Sequence, residues 1–212
     1  MTRTAFLVDG FNLYHSLRAA SADLAGASTR WLDLRAFCSS YLAEVGGRAV
    51  TVSTEYFTAI PVHRELVSPG TLARHRDYTD CLRNSGVTVV SGHFKEKRTR
   101  CTECGSELRR FEEKETDVAI GVRLLDLLWT DACDAVVLVT GDSDLAPAVR
   151  CARDRFPDRQ VLGLFPYRRL SFELKAIANR SFGVKAARYA RFQFPATVHL
   201  ATGRSISKPA RW

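Results

Sequence analysis

Short runs of nearly unbroken apolar residues recur along the chain, and between them apolar residues fall at helical spacing. "TAFLVDG" (4–10) is apolar at consecutive positions and stops at Asp-Gly, which predicts a first strand buried on both faces. "RAVTVSTEYFTAI" (48–60) alternates and is β-branched, "VTVVSGHF" (87–94) is shorter, and "CDAVVLVTG" (133–141) and "RQVLGLFP" (159–166) are again continuous; all four read as strands. The helical segments alternate with them. They are 11–20, with Leu13, Leu17 and Ala20 on one face; 31–45, capped by Asp33; 71–86, ended by Gly86; 115–131, with Val118, Val122, Leu125 and Trp129 on one face; 144–156; and 171–180. "FGVKAARYARF" adds a short strand and a helical turn, and residues 196–212 read as a C-terminal tail.

Strands alternating with helices predict an α/β fold with a central, mainly parallel sheet and helices on both faces. Residues 95–114, "KEKRTRCTECGSELRRFEEK", break the rhythm: they are mostly charged and predict a small Cys-containing hairpin insertion. One domain over 1–195, carrying that insertion, is the expected organisation. In such sheets ligands bind beyond the carboxyl ends of the strands. The chemistry is therefore sought in the residues that follow each apolar run.

Two of those runs end in carboxylates. Asp9 ends the first, and Asp142 and Asp144 end the fourth, one serine apart. If the two strands are neighbours, three carboxylates meet at one sheet edge. Asp117, in the first turn of the helix that feeds the fourth strand, is a fourth member. Charges at that density repel and lose hydration unless a cation lies among them. An oxygen-only donor set suits Mg²⁺ or Mn²⁺, which orient water and stabilise phosphoryl transition states. A plainer reading of Gly-Asp-Ser-Asp also exists: a turn in which Ser143 or Asp144 caps the next helix.

Charge adds a partner. The formal net charge is +8, but residues 145–212 hold 14 Lys/Arg against 3 Asp/Glu, while residues 1–144 hold 17 against 20. A basic half beside a carboxylate-bearing half suits a polyanion such as RNA, although an arginine-rich genome would leave the same imprint. "PYRRLSFELK" places Tyr167, Arg168, Arg169 and Lys175 just past the fifth strand, where arginine suits phosphate and tyrosine suits base stacking. No apolar run approaches the ~20 residues of a membrane span. The N-terminus enters a strand at once, so a cytoplasmic protein without a signal peptide or membrane partner is expected.

"VDGFNLY" (8–14), "EEKETDVAIGVRLLD" (112–126) and "VLVTGDSDLAPAVR" (137–150) resemble, in order and spacing, the NYN domain family of PIN-like nucleases. The resemblance covers nearly the whole chain. It implies a PIN-like three-layer fold and divalent-metal hydrolysis of phosphodiester bonds, usually in RNA, leaving 5′-phosphate and 3′-hydroxyl ends. Carried over position by position, Asp9, Asp117, Asp142 and Asp144 match the acidic, metal-holding residues. Asn12 matches the polar position one helical step beyond the first Asp, and Thr140 and Ser143 match the hydroxyls flanking the last motif, on the substrate side. All acidic positions are kept, which implies an active endoribonuclease.

The six cysteines form no expected disulfide framework; Cys38, Cys133 and Cys151 read as small buried apolar residues. Cys101 and Cys104 have the spacing of half a zinc knuckle. Completing a structural Zn²⁺ site needs His93, the weaker candidate Cys81, or a second copy in a homodimer; a metal-free hairpin is the alternative. A Toprim-like or phosphatase-like site fits less well, because the first strand ends in Asp-Gly-Phe-Asn rather than in a glutamate or Asp-x-Asp. A module that binds RNA or regulates through the same fold without turnover is the non-enzymatic reading.

Overall fold

The computed structural model describes residues 1–65, 67–100 and 103–210. Seven strands form one sheet: β1 (Thr2–Asp9), β2 (Ala49–Ala59), β3 (Thr88–Arg100), β4 (Glu107–Lys114), β5 (Ala135–Val139), β6 (Gln160–Phe165) and β7 (Arg180–Gly183). Their order is β4-β3-β2-β1-β5-β6-β7, parallel throughout except for β4, which runs back against β3. The strand order reverses at β1, the central strand. β1 lies between β2 and β5, in register Thr4↔Ala135 to Val8↔Val139. Two of the carboxylate-ended runs are thus side by side.

Helices cover both faces, as expected of an α/β sheet. On one lie α1 (Gly10–Asp23), α2 (Leu34–Ser39), α3 (Leu42–Val45), α4 (Thr71–Asn84) and α8 (Ala186–Arg191); on the other lie α5 (Thr116–Trp129), α6 (Ala146–Arg155) and α7 (Phe172–Ile177). β1 is buried on both sides because its side chains alternate. Phe6 and Val8 join the core under α1, and Ala5 and Leu7 join the core under α5.

Three segments depart from the sequence expectation. The helix expected over 31–45 is two short helices. Asp33 does cap the first, accepting from the Ala36 amide at 3.0 Å. Trp31 and Leu32 precede it as fully buried residues outside the helix, with Leu32 bridging Gln193. The face of α5 is also different. Val118 and Trp129 are 71% and 81% exposed, whereas Ile120, Leu124, Leu127 and Leu128 are buried. So much of this helix is apolar that periodicity alone does not choose its inner side. Contact chooses it: Gly121 sits against Ala148 of α6, where a Cβ would come within 3.2 Å of the alanine methyl.

The third departure is the expected tail. Residues Thr197–His199 (β8) and Ser205–Ser207 (β9) pair as an antiparallel ribbon, and Val198 and Ile206 bury themselves in the core under α1. The excursion at 95–114 is built from the outer part of β3 and from β4, paired from His93↔Lys114 to Arg100↔Glu107. Cys101 lies outside the described residues. Among the described residues, no helix is long and apolar enough to cross a membrane.

Candidate active site

The carboxyl end of β1 turns directly into α1, and Asp9 is the hinge. Its Oδ1 accepts from the Asn12 amide at 2.9 Å, capping the helix, and its Oδ2 accepts from the Thr140 hydroxyl at 2.8 Å. Thr140 follows β5 and is fully buried; its hydroxyl also accepts from the Asp142 amide at 3.0 Å. One hydroxyl thereby ties the ends of two adjacent strands together. Asn12 adds a second tie, its Oδ1 accepting from the Gly141 amide at 3.1 Å.

Asp142 caps a 3-10 turn, Ser143–Leu145, by accepting from the Asp144 amide at 3.0 Å. The capping reading of the sequence named Ser143 or Asp144; the structure gives the cap to Asp142, which spends one carboxylate oxygen on it and leaves the other outside the cap. Asp117 enters from the first turn of α5, after Glu115, whose backbone takes φ 75°, a region costly for a residue with a side chain. One oxygen each from Asp9, Asp117 and Asp142 lies within 4.8 Å of the other two. Asp9 is buried and the other two are half-buried.

The electrostatics follow from that crowding. Burial, then the charges of Asp9, Asp142 and Asp144, push the Asp117 carboxyl up to about 6. Among the described residues no salt bridge reaches Asp117 or Asp142. Asp144 stands apart from the trio: the 3-10 turn leaves it exposed at the rim, where it contributes charge but is not in the close group. Ser143 is likewise exposed. Thr140 has no exposed surface to offer a substrate, contrary to the expectation from its motif position; it acts by holding Asp9 and Asp142.

Gly141 was not singled out from sequence, yet the site depends on it. A Cβ there would fall 1.9 Å from the carbonyl oxygen of Arg169. The bare glycine lets the loop after β6 close over the end of β5. Arg168 and Arg169 belong to that loop and Lys175 to α7. Arg168, Arg169 and Lys175 line a groove of about 480 Å³ beside Phe165 and Phe182. Tyr167 is more constrained than a stacking residue should be. Its hydroxyl donates to Asp23 at 2.9 Å, its amide donates to the Tyr189 hydroxyl at 3.1 Å, and its ring packs on the core. Arg168 pairs with the same Asp23 at 3.0 Å, from an exposed position.

The zinc candidates are dispersed. Cys81 is buried in α4, where burial pushes its thiol up to about 11. The His93 Nδ1 lies 3.3 Å from the Glu115 carboxylate. Cys104 is exposed, with its Sγ 2.9 Å from the Ser106 hydroxyl, and Cys101 lies outside the described residues. Cys38 and Cys133 are buried as expected, but Cys151, on the outer side of α6, is exposed.

Comparison with known proteins gives the following. The family model described as NYN domain matches residues 3–182. The curated protein 6-hydroxy-3-succinoylpyridine 3-monooxygenase HspA of Pseudomonas putida (strain DSM 28022 / S16) is 24% identical over 179 residues. That alignment covers 71% of this chain and 55% of HspA, so the chain spans about half the length of this relative. The crystal structure of VPA0982, a protein of unknown function from Vibrio parahaemolyticus RIMD 2210633, superposes with a TM-score of 0.58 at 20% identity. It covers 87% of this chain and 93% of that one, and supports the fold alone.

Proposed function

The chain belongs to the NYN domain family, and on that footing we propose that it is a divalent-metal-dependent endoribonuclease. The observation that carries the reading is the convergence of Asp9, Asp117 and Asp142, from three separate elements, within 4.8 Å at the carboxyl edge of the sheet. Three hard oxygen donors crowded at one edge of the sheet fit a Mg²⁺ or Mn²⁺ ion. When bound there, such an ion supplies Lewis-acid polarisation of a phosphoryl oxygen and activation of water.

The chain's own residues do the rest. Asp9, Asp117 and Asp142 hold the cation. Thr140 and Asn12 keep Asp9 and the 141–142 backbone in place, so that the donor atoms are arranged before substrate arrives. Asp144, exposed at the rim, orients water or the leaving oxygen, and Ser143 beside it faces the substrate. Arg168, Arg169 and Lys175 attract the phosphates of RNA to the groove they line, which meets the site where Arg169 packs on Gly141. A structural Zn²⁺ held through Cys101 and Cys104 would brace the β3–β4 ribbon, and zinc content of protein purified without chelator tests it.

The experiment is cleavage of a panel of labelled RNAs and DNAs with Mn²⁺, Mg²⁺ or EDTA, beside an Asp142→Asn control. Internal cleavage of RNA leaving 5′-phosphate and 3′-hydroxyl ends, lost in EDTA and in the variant, supports the reading. Binding of RNA with no turnover under any metal leaves the non-enzymatic module instead.

A further inference from the structure

The face of α1 that points away from the core is aromatic. Leu13, Leu17 and Ala20 are buried beneath it, but Phe11 is 52% and Tyr14 37% exposed. His15 joins them as a half-buried residue. The Phe11 and His15 rings meet edge-to-face at 4.5 Å between centroids, and Tyr14 meets His15 at 5.7 Å. The Arg18 guanidinium lies 5.9 Å from the Tyr14 ring centroid. This cluster starts two residues after Asp9 and flanks Asn12, so it adjoins the acidic trio. None of the nuclease assignments above uses it.

Cations surround it from three elements. Besides burial, the charges of Arg169, Arg18 and Arg64 all disfavour the imidazolium form of His15. Arg169 belongs to the loop after β6, Arg18 to α1 and Arg64 to the 3-10 turn (Val62–Arg64) that follows β2. Large aromatic surface left in water forgoes the stabilisation that burial would bring. Aromatic faces interleaved with arginines are what unpaired bases on a phosphate backbone require.

We infer that the outer face of α1 is a stacking platform for unpaired nucleobases, Phe11 and Tyr14 being its stacking surfaces and Arg18, Arg64 and Arg169 its phosphate contacts. The inference rests on the nuclease reading for what the bound strand is there for. Its ligand is single-stranded nucleic acid. A duplex keeps its base faces covered by their neighbours, so the platform makes strandedness the feature selected beside the acidic trio.

The test is binding, in EDTA, of a fluorescently labelled 12-nucleotide single-stranded RNA and of a hairpin of matched composition whose strands are joined by a non-nucleotide linker, so that it holds no unpaired base. The wild-type protein should prefer the single strand. Phe11→Ala with Tyr14→Ala should weaken single-strand binding by about tenfold or more, at the lower end of what stacking contributes, and leave hairpin binding and melting temperature unchanged. Phe11→Tyr should retain affinity. Abasic residues in the RNA should weaken binding to wild type but add no further loss in the double variant. Arg18→Ala should weaken both RNAs and flatten the salt dependence. Unchanged single-strand affinity in the double variant overturns the platform, as does an equal loss for both RNAs. Failure of the wild type to bind either RNA overturns the platform together with the nuclease reading. Binding without Mn²⁺-dependent cleavage counts against the nuclease reading alone, and the variants still decide the platform.

Discussion

The two ends of β1 and β5 carry the same residue type in opposite circumstances. At the amino ends, Asp134 accepts from Arg3 and Arg159 at 2.8 and 2.7 Å, and Asp131 accepts from the same two arginines at 2.8 and 2.6 Å. Hydrogen bonds from Arg3, first from its side chain and then from its amide, hold the Asp134 carboxyl down at about 2. At the carboxyl ends, where Asp9 closes β1 and Asp142 follows β5, burial and then the charges of three further carboxylates push the Asp117 carboxyl up to about 6. Matched acids stitch two strands together and need nothing more. Acids arranged against one another cost stability in the folded chain, and a site that keeps them has another use for them.

The largest expected effect separates the two ends by function. Asp142→Asn should reduce RNA cleavage by orders of magnitude while the chain folds as well as wild type. Asp134→Asn should leave the specific activity of the folded enzyme intact, as read from steady-state cleavage in Mn²⁺. Equal losses in the two variants would erase the distinction.

Next in size is the response to metal. Mn²⁺ should raise the melting temperature of the wild type, since a ligand at a hundred times its Kd stabilises by about 2.7 kcal/mol. The Asp117→Asn variant should respond much less, and Asp134→Asn as wild type does. A scan of melting temperature against Mn²⁺ concentration reads all three.

The smallest effects are in pH, and they carry opposite signs. The Asp117 carboxyl is raised in the folded state, so its penalty is absent near pH 4 and grows as pH rises through about 6. Metal-free Asp117→Asn should therefore melt above wild type at pH 7.5 and lose that advantage by pH 4. The Asp134 carboxyl is lowered, so its contribution is present above about pH 4 and fades as pH falls toward 2. Asp134→Asn should melt below wild type at pH 7 and approach it as the medium is acidified. Asp134 is partly exposed, and solvent screening of its ion pairs keeps this effect modest. Metal-free melting curves across pH check both signs.

Sequence pattern carries the sheet because strands buried on both faces, such as 4–10 and 133–141, are apolar without interruption. It carries Asp9 and Asp142 because each follows such a run, and Asp117 because it opens the helix that feeds the second of them. It does not separate Asp142 from Asp144, since a single 3-10 turn decides which carboxylate faces inward. Nor does it show that the Thr140 hydroxyl is spent on two neighbours, or that Arg169 closes over Gly141, because both are contacts between distant segments. The inner face of α5 was illegible for the opposite reason: apolar residues occur nearly all round it. The 197–207 ribbon was missed because two buried side chains in strands of three residues each leave almost no period to read.

Direct Mn²⁺ binding to the metal-free protein at pH 7.5, measured by equilibrium dialysis, tests the central claim that the crowded acids exist to hold a cation. Wild type and Asp134→Asn should bind Mn²⁺ with the same affinity and stoichiometry, and Asp142→Asn should bind at least about tenfold more weakly, the loss of one charged donor from a three-carboxylate site. Undiminished Mn²⁺ binding by Asp142→Asn, or no binding by the wild type, would contradict it.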